Sequence, residues 1–267
     1  MILVIGDVML DRYLECEYIK PSPEHGGPCL VNPHIILQSV GGAANVAKML
    51  GAQGINTTLV GITGDYRLLG LIQSLYNVKW VGIYDPCNES VSCVKERYQY
   101  EDRTIFRIDH DPIKNNMSCY VQDVVERVDQ LLQQTDVVVT SDYDKGTLSP
   151  EVMRLINSSY KTWVVDPKVA WFSAYERENV VVKCNAVETE RFFGVNPLQN
   201  TPHEVAEAVR SKIRGRALVT LGSKGVIAIT RKSVEYFSAE VVPEDQAHVV
   251  GAGDVAAAVL AAGLCSG

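Results

Sequence analysis

A chain of 267 residues with 46% apolar side chains is long enough for one large α/β domain around a well-filled core. Its formal charge of −7 excludes a general nucleic-acid binder, which would carry a basic patch or stripe. The same charge leaves room for a phosphorylated ligand, because local potential rather than net charge holds phosphate.

The expected elements run as strand followed by helix. Residues 2–5 form a continuous apolar strand ending at Gly6-Asp7, residues 43–50 a helix, 57–62 a strand and 68–76 a helix. Val121, Val124, Val125, Val128, Leu131 and Leu132 recur at helical spacing and lead into a buried strand over 136–140. Ser149-Pro150-Glu151 has the form of an N-cap with proline at the first helical position, and 162–166 is the next strand. Thr201-Pro202-His203-Glu204 has capping-box spacing and opens a helix to about Ile213. Strands over 217–221 and 226–230 flank a turn at Gly222-Ser223-Lys224-Gly225. The alternation predicts a doubly wound, mainly parallel sheet with helices on both faces and ligand-bearing loops beyond the carboxyl ends of its strands. Residues 30–38 and 91–108 are β-rich without following helices and predict a small separate β-layer, suited to a lid or to contact between copies.

Residues 2–5 lack the preceding basic segment of a secretory signal, and the small apolar stretch 255–264 is too short to cross a bilayer. Cysteines at 16, 29, 87, 93, 119, 184 and 265 form no C-x-x-C pair and read as free thiols, chiefly small buried hydrophobes, in a reducing compartment. A cytoplasmic chain without a membrane partner is the expectation.

The strongest chemical signal is Gly251-Ala252-Gly253-Asp254 before a helix-prone run. Small residues at a helix start let backbone N–H groups converge on an anion, aided by the helix dipole, and an aspartate there can take a proton from a hydroxyl beside it. Those are parts that phosphoryl transfer needs, although a glycine-rich turn capped by Asp254 would look the same. Gly41-Gly42-Ala43-Ala44-Asn45 opens another helix, where Asn45 offers donor and acceptor to a sugar hydroxyl, and where helix packing explains the glycines equally well. Asp7 and Asp11 follow the first strand, as sugar ligands or as turn caps. Lys145 in Ser141-Asp142-Tyr143-Asp144-Lys145-Gly146 and Lys168 in Asp166-Pro167-Lys168 follow two further strands, to meet phosphate or water.

In this order the segments resemble the PfkB (ribokinase-type) carbohydrate kinases. Ser22-Pro23-Glu24, Val94-Lys95-Glu96-Arg97, Arg107-Ile108-Asp109 and the Ser141 to Gly146 segment bring them nearest to the D-glycero-D-manno-heptose 7-phosphate kinase domain that feeds ADP-heptose and lipopolysaccharide synthesis. The resemblance implies ATP and Mg²⁺ as cofactors and a sugar phosphate as acceptor, phosphorylated at its anomeric hydroxyl. Asp254 would be the base, with Gly251, Ala252 and Gly253 as its anion hole. Asp7, Asp11, Gly41, Gly42, Asn45, Arg107, Asp109 and Lys145 would bind the sugar phosphate. Lys168, Asn185, Thr220, Gly222, Lys224 and Gly225 would line the nucleotide, and Glu188 would organise the metal. One kinase domain over 1–267 is expected, with β-lid segments about 12–38 and 88–110 that also clasp a homodimer.

The chain departs from the family pattern at His248, where an aspartate is usual, and at Val250, where threonine or serine is usual. The family also continues beyond the helix after Asp254, so part of its adenine pocket is expected to be missing. A kinase for another sugar and a catalytically impaired sugar-phosphate-binding remnant are the competing expectations.

Overall fold

The computed structural model describes residues 1–24, 26–240 and 250–266. Among them, nine strands form the main sheet, in the order Val234–Phe237, Val226–Ile229, Arg216–Thr220, Val180–Asn185, Thr162–Asp166, Val137–Ser141, Ile2–Gly6, Thr57–Val60 and Val78–Trp80. All neighbours from Arg216–Thr220 to Val78–Trp80 pair in parallel, and the last two strands return as antiparallel ribbons.

The parallel strands are apolar on both faces because helices cover both. Leu3 and Ile5 of the first strand point into a core shared with Val124 and Val128 of helix Val121–Leu132, Ile156 of Pro150–Ser158, Phe192 of Ala186–Phe193 and Val205 of Pro202–Arg210. Ile2 and Val4 point the other way, against Val46 and Leu50 of Ala43–Ala52, Ile72 of Tyr66–Gln73 and Ala257 and Ala261 of Ala252–Cys265. The expected caps form: Ser149 accepts from the Val152 N–H, and Thr201 with Glu204 makes a reciprocal capping box. The second helix starts earlier than its apolar pattern suggests, at Tyr66, because Asp65 accepts the N–H groups of Arg67 and Leu68.

The β-layer is a four-stranded sheet in the order Arg103–His110, Cys93–Tyr100, Val8–Glu15, His34–Gly42. It reaches further into the molecule than 12–38 and 88–110. Val8–Glu15, a segment given no strand from the sequence, is an inner strand, and its Asp11 and Arg12 pair across the sheet with Arg97 and Glu96. Val8, Leu10, Val40 and Val94 anchor the layer in the core, whereas Arg103–His110 is exposed throughout. The chain therefore passes from the main sheet to the layer at Asp7.

Three strands of the main sheet escaped the alternation: Val78–Trp80, Val180–Asn185 and Val234–Phe237. The cysteines are all free, yet only Cys16, Cys93 and Cys184 are buried. Cys87 and Cys119 are exposed and Cys29 and Cys265 half-buried, which corrects the view of them as chiefly core residues. Among the described residues, no helix is long and apolar enough to cross a membrane.

Candidate active site

Strand register gathers the site. Gly6 lies beside Ser141, Ser141 beside Asp166, and Asn185 beside Thr220, so the segments leaving these strands emerge along one carboxyl edge. Helix Ala252–Cys265 packs beside Ala43–Ala52, its small residues Ala257, Ala258 and Ala261 fully buried, and delivers its first turn to the same edge. Its N-cap, Gly251, has φ 80°, a left-handed conformation, and a Cβ there would lie 2.7 Å from Asn45 Nδ2.

Asp254 is buried, at 2% exposure. Asn45 Nδ2 donates to its Oδ2 at 2.8 Å, and the Tyr143 hydroxyl donates to its Oδ1 at 2.9 Å. Burial pushes its pKa up, and the two hydrogen bonds and the charge of Lys183 oppose that rise. Asn45 thus touches Asp254 itself, an arrangement that neither motif reveals alone because 209 residues separate them.

Lys183 is a residue that the sequence reading missed. It lies in the overlooked strand Val180–Asn185, its side chain 5% exposed, with Nζ 2.8 Å from Asp166 Oδ1. A Cβ on Gly253 would sit 3.1 Å from that ammonium, so the glycine leaves room for a cation beneath the Gly251–Asp254 turn. Burial raises the Asp166 pKa to about 6 despite Lys183. The signal was a lysine inside the apolar run Val180-Val181-Val182-Lys183-Cys184, since a lysine is almost never buried without a partner.

The proposed sugar-side residues fall into three groups. Asp7 is 2% exposed, and its carboxylate accepts the backbone N–H groups of Tyr143 at 2.9 Å, Lys145 at 3.0 Å and Thr147 at 3.1 Å. It holds the 143–147 loop, which agrees with the cap alternative, and burial raises its pKa. Asp7→Ala orphans three donors, the buried Thr147 N–H among them, and is expected to cost about 1–3 kcal/mol of stability, measured by urea unfolding. Asp11, 8% exposed, is ion-paired with Arg97 at 2.5 Å, and Gly41 and Gly42 face the same strand, beside Met9 and Val8. Further out, Arg107 and Asp109 pair with each other at 2.7 Å, Lys95 joins Asp109 at 2.9 Å, and Lys145 Nζ binds Asp111 at 2.5 Å.

Of the residues expected to line a nucleotide, Lys168, Gly222 and Lys224 are exposed and Thr220 half-buried, while Gly225 is buried beneath the edge strand. Asp142 accepts the Lys168 N–H at 3.2 Å, fixing that turn. Asn185 and Glu188 form a reciprocal capping box at the start of Ala186–Phe193, which occupies Glu188 Oε2. Among the described residues no cluster of three or more His, Cys, Asp or Glu side chains forms a metal cage. Glu188 is a lone carboxylate in the first turn of that helix, and magnesium, which keeps its waters and takes most other ligands from phosphate, does not require an all-protein cage. His248 lies outside the described residues, and Val250 is 56% exposed.

A mainly parallel sheet, a β-layer joined to it at Asp7 and a buried aspartate at a glycine-rich helix start together give a ribokinase-like architecture. The chain belongs to the pfkB family of carbohydrate kinases, whose family model matches residues 1–267. It is 33% identical, over its full length, to the bifunctional protein HldE of Koribacter versatilis (strain Ellin345), covering 55% of that protein. It is 31% identical over 98% of its length to the bifunctional protein HldE of Marinomonas sp. (strain MWYL1), again covering 55%. The chain thus spans about half the length of these curated relatives. Among solved structures, Escherichia coli phosphofructokinase-2 in complex with substrates and products superposes with a TM-score of 0.74 at 17% identity, over 100% of this chain and 86% of that one. Arabidopsis thaliana ribokinase complexed with ribose and ATP superposes with a TM-score of 0.69 at 17% identity, over 98% of this chain and 85% of that one. At such identities these likenesses show the shared fold.

Proposed function

We propose that this chain transfers the γ-phosphoryl group of ATP to the anomeric hydroxyl of a sugar phosphate, D-glycero-D-manno-heptose 7-phosphate. The observation that carries the reaction type is the buried Asp254, held by Asn45 and Tyr143 at the helix start. The heptose-type segments and the full-length likeness to proteins named HldE support the sugar.

Asp254 takes the proton of the acceptor hydroxyl as its oxygen bonds to phosphorus and the bond to the ADP oxygen breaks. The N–H groups of the 251–253 turn and the Lys183 ammonium would receive the negative charge of the moving group. Asp11 and Arg97 would meet the sugar, and the cations Lys95, Arg107 and Lys145 its distal phosphate. Lys168, Asn185, Thr220, Gly222, Lys224 and Gly225 would line the nucleotide. Glu188, through the oxygen its cap leaves unused, would hold magnesium, which when bound neutralises charge on the phosphates.

Asp254 works only when ionised. Its pKa is raised by burial above the ordinary 3.8, so turnover is expected to fall with falling pH through a midpoint above that value. The β-layer would close over the sugar and exclude water. Exposed Ile36, Phe106 and Ile108 on that layer support pairing of two copies through it, and the free cysteines support a cytoplasmic setting.

The test is ADP release from Mg-ATP with heptose 7-phosphate, fructose 6-phosphate or ribose as acceptor, with phosphorus NMR of the product. Formation of an anomeric phosphate from the heptose alone supports the proposal. Preference for another acceptor overturns the sugar, and calorimetric binding of heptose 7-phosphate without turnover overturns the kinase activity.

A further inference from the structure

We propose that Tyr143 is a positioning residue that clamps Oδ1 of Asp254 and keeps the carboxylate ionised and aimed. This rests on the reading of Asp254 as the base.

The geometry has two halves. The Tyr143 hydroxyl donates to Asp254 Oδ1 at 2.9 Å, while Asn45 Nδ2 holds Oδ2 at 2.8 Å, so each oxygen has its own donor and rotation of the carboxylate about its Cβ–Cγ bond is blocked. Tyr143 itself cannot drift, because its backbone N–H is bound to Asp7 Oδ2, as are those of Lys145 and, through Oδ1, Thr147. Asp144 at φ 60° and Gly146 at φ 110° turn the loop so that its N–H groups converge on that one carboxylate. Asp7 thereby acts at a distance: it fixes the loop, the loop fixes Tyr143, and Tyr143 fixes the base.

The sign of the effect follows from chemistry. The phenol is itself buried beside acidic groups, which raises its pKa, so it stays protonated and can only donate to the charged carboxylate. A donor to an ionised carboxylate favours the ionised form and opposes the rise that burial imposes. The other charged groups facing Asp254 are Asp11 from Val8–Glu15, Asp166 from Thr162–Asp166 and Lys183 from Val180–Asn185. The rest of the Asp254 helix carries no charged side chain. The two acids push the Asp254 pKa up and Lys183 pulls it down, and none of the three makes a hydrogen bond to the base. Tyr143 and Asn45 do, and Tyr143→Phe deletes one bond while leaving the ring in place.

The experiment is a carbon-13 NMR titration of the chain labelled at aspartate Cγ, with the Asp254 signal assigned by its loss in Asp254→Asn. In Tyr143→Phe the Asp254 midpoint is expected to rise by about one pH unit, the loss of one charge-assisted hydrogen bond. A chain carrying 3-fluorotyrosine at position 143, a stronger donor of similar size, is expected to shift the midpoint down. This second chain decides the matter if the phenylalanine variant does not fold. An unchanged midpoint in the folded variants overturns the inference, because a merely structural tyrosine would alter melting without moving this titration. The acid limb of kcat for Mg-ATP and heptose 7-phosphate should move with the midpoint. Full turnover by Asp254→Asn overturns the assignment of the base instead, and leaves the clamp to be judged by the titration alone.

Discussion

Asp254→Asn is expected to lower kcat by about 10²–10⁴-fold, the span associated with loss of a general base, with the KM for ATP little changed. Its folding should not suffer. The carboxylate is buried at a cost that raises its pKa, and asparagine removes the charge while keeping an acceptor for one of the two donors. The measurement is ADP release paired with thermal unfolding of the same preparations. A variant that keeps turnover within tenfold of the parent would remove Asp254 from the reaction. One that melts many degrees lower would show the aspartate to be a structural cap.

Lys183→Met should strike both stability and activity. It removes the cation bound to Asp166, leaving a carboxylate buried without that counter-ion, a change of about 3–5 kcal/mol. Lower pH should relieve part of that loss. The folded Asp166 pKa already stands at about 6 and rises further without Lys183, so protonation favours the folded state as the pH is lowered through this range. The double variant with Asp166→Asn should recover most of the stability but not the turnover, because the ammonium beneath the Gly251–Asp254 turn is still missing. Urea unfolding of the two single variants and the double variant at pH 5 and 8 gives the cycle. Additive losses would mean that the pair does not act as a unit.

The contrast between these residues shows what a sequence can disclose. Gly251 to Asp254 was legible because its chemistry is local: small residues and an acid in consecutive positions at a helix start. The alternation of strand and helix was legible for the same reason, since one turn or one pleat repeats within a few residues. Val8–Glu15 was not, because Asp11 and Arg12 look solvated until Arg97 and Glu96 are brought alongside from 86 and 84 positions away. Val180–Asn185 was missed because Lys183 interrupts the apolar run, and only tertiary structure supplies Asp166 as its partner. Likewise Tyr143 shows a phenol in a loop after a strand, and nothing nearby announces that its hydroxyl ends on an aspartate 111 residues later.

The first strand, Ile2–Gly6, sits in the interior of the main sheet, between Thr57–Val60 and Val137–Ser141. On a ribosome it can find its earlier neighbour soon, but roughly eighty more residues must emerge before the other appears, a wait of about 4–16 s at typical synthesis rates. Throughout that interval an apolar strand edge stands open, the kind of edge that recruits other nascent chains. Production of this protein should therefore depend on how fast the stretch between Val60 and Val137 is translated and on chaperones that shelter it, while Asp254 arrives only after the sheet that positions it has closed.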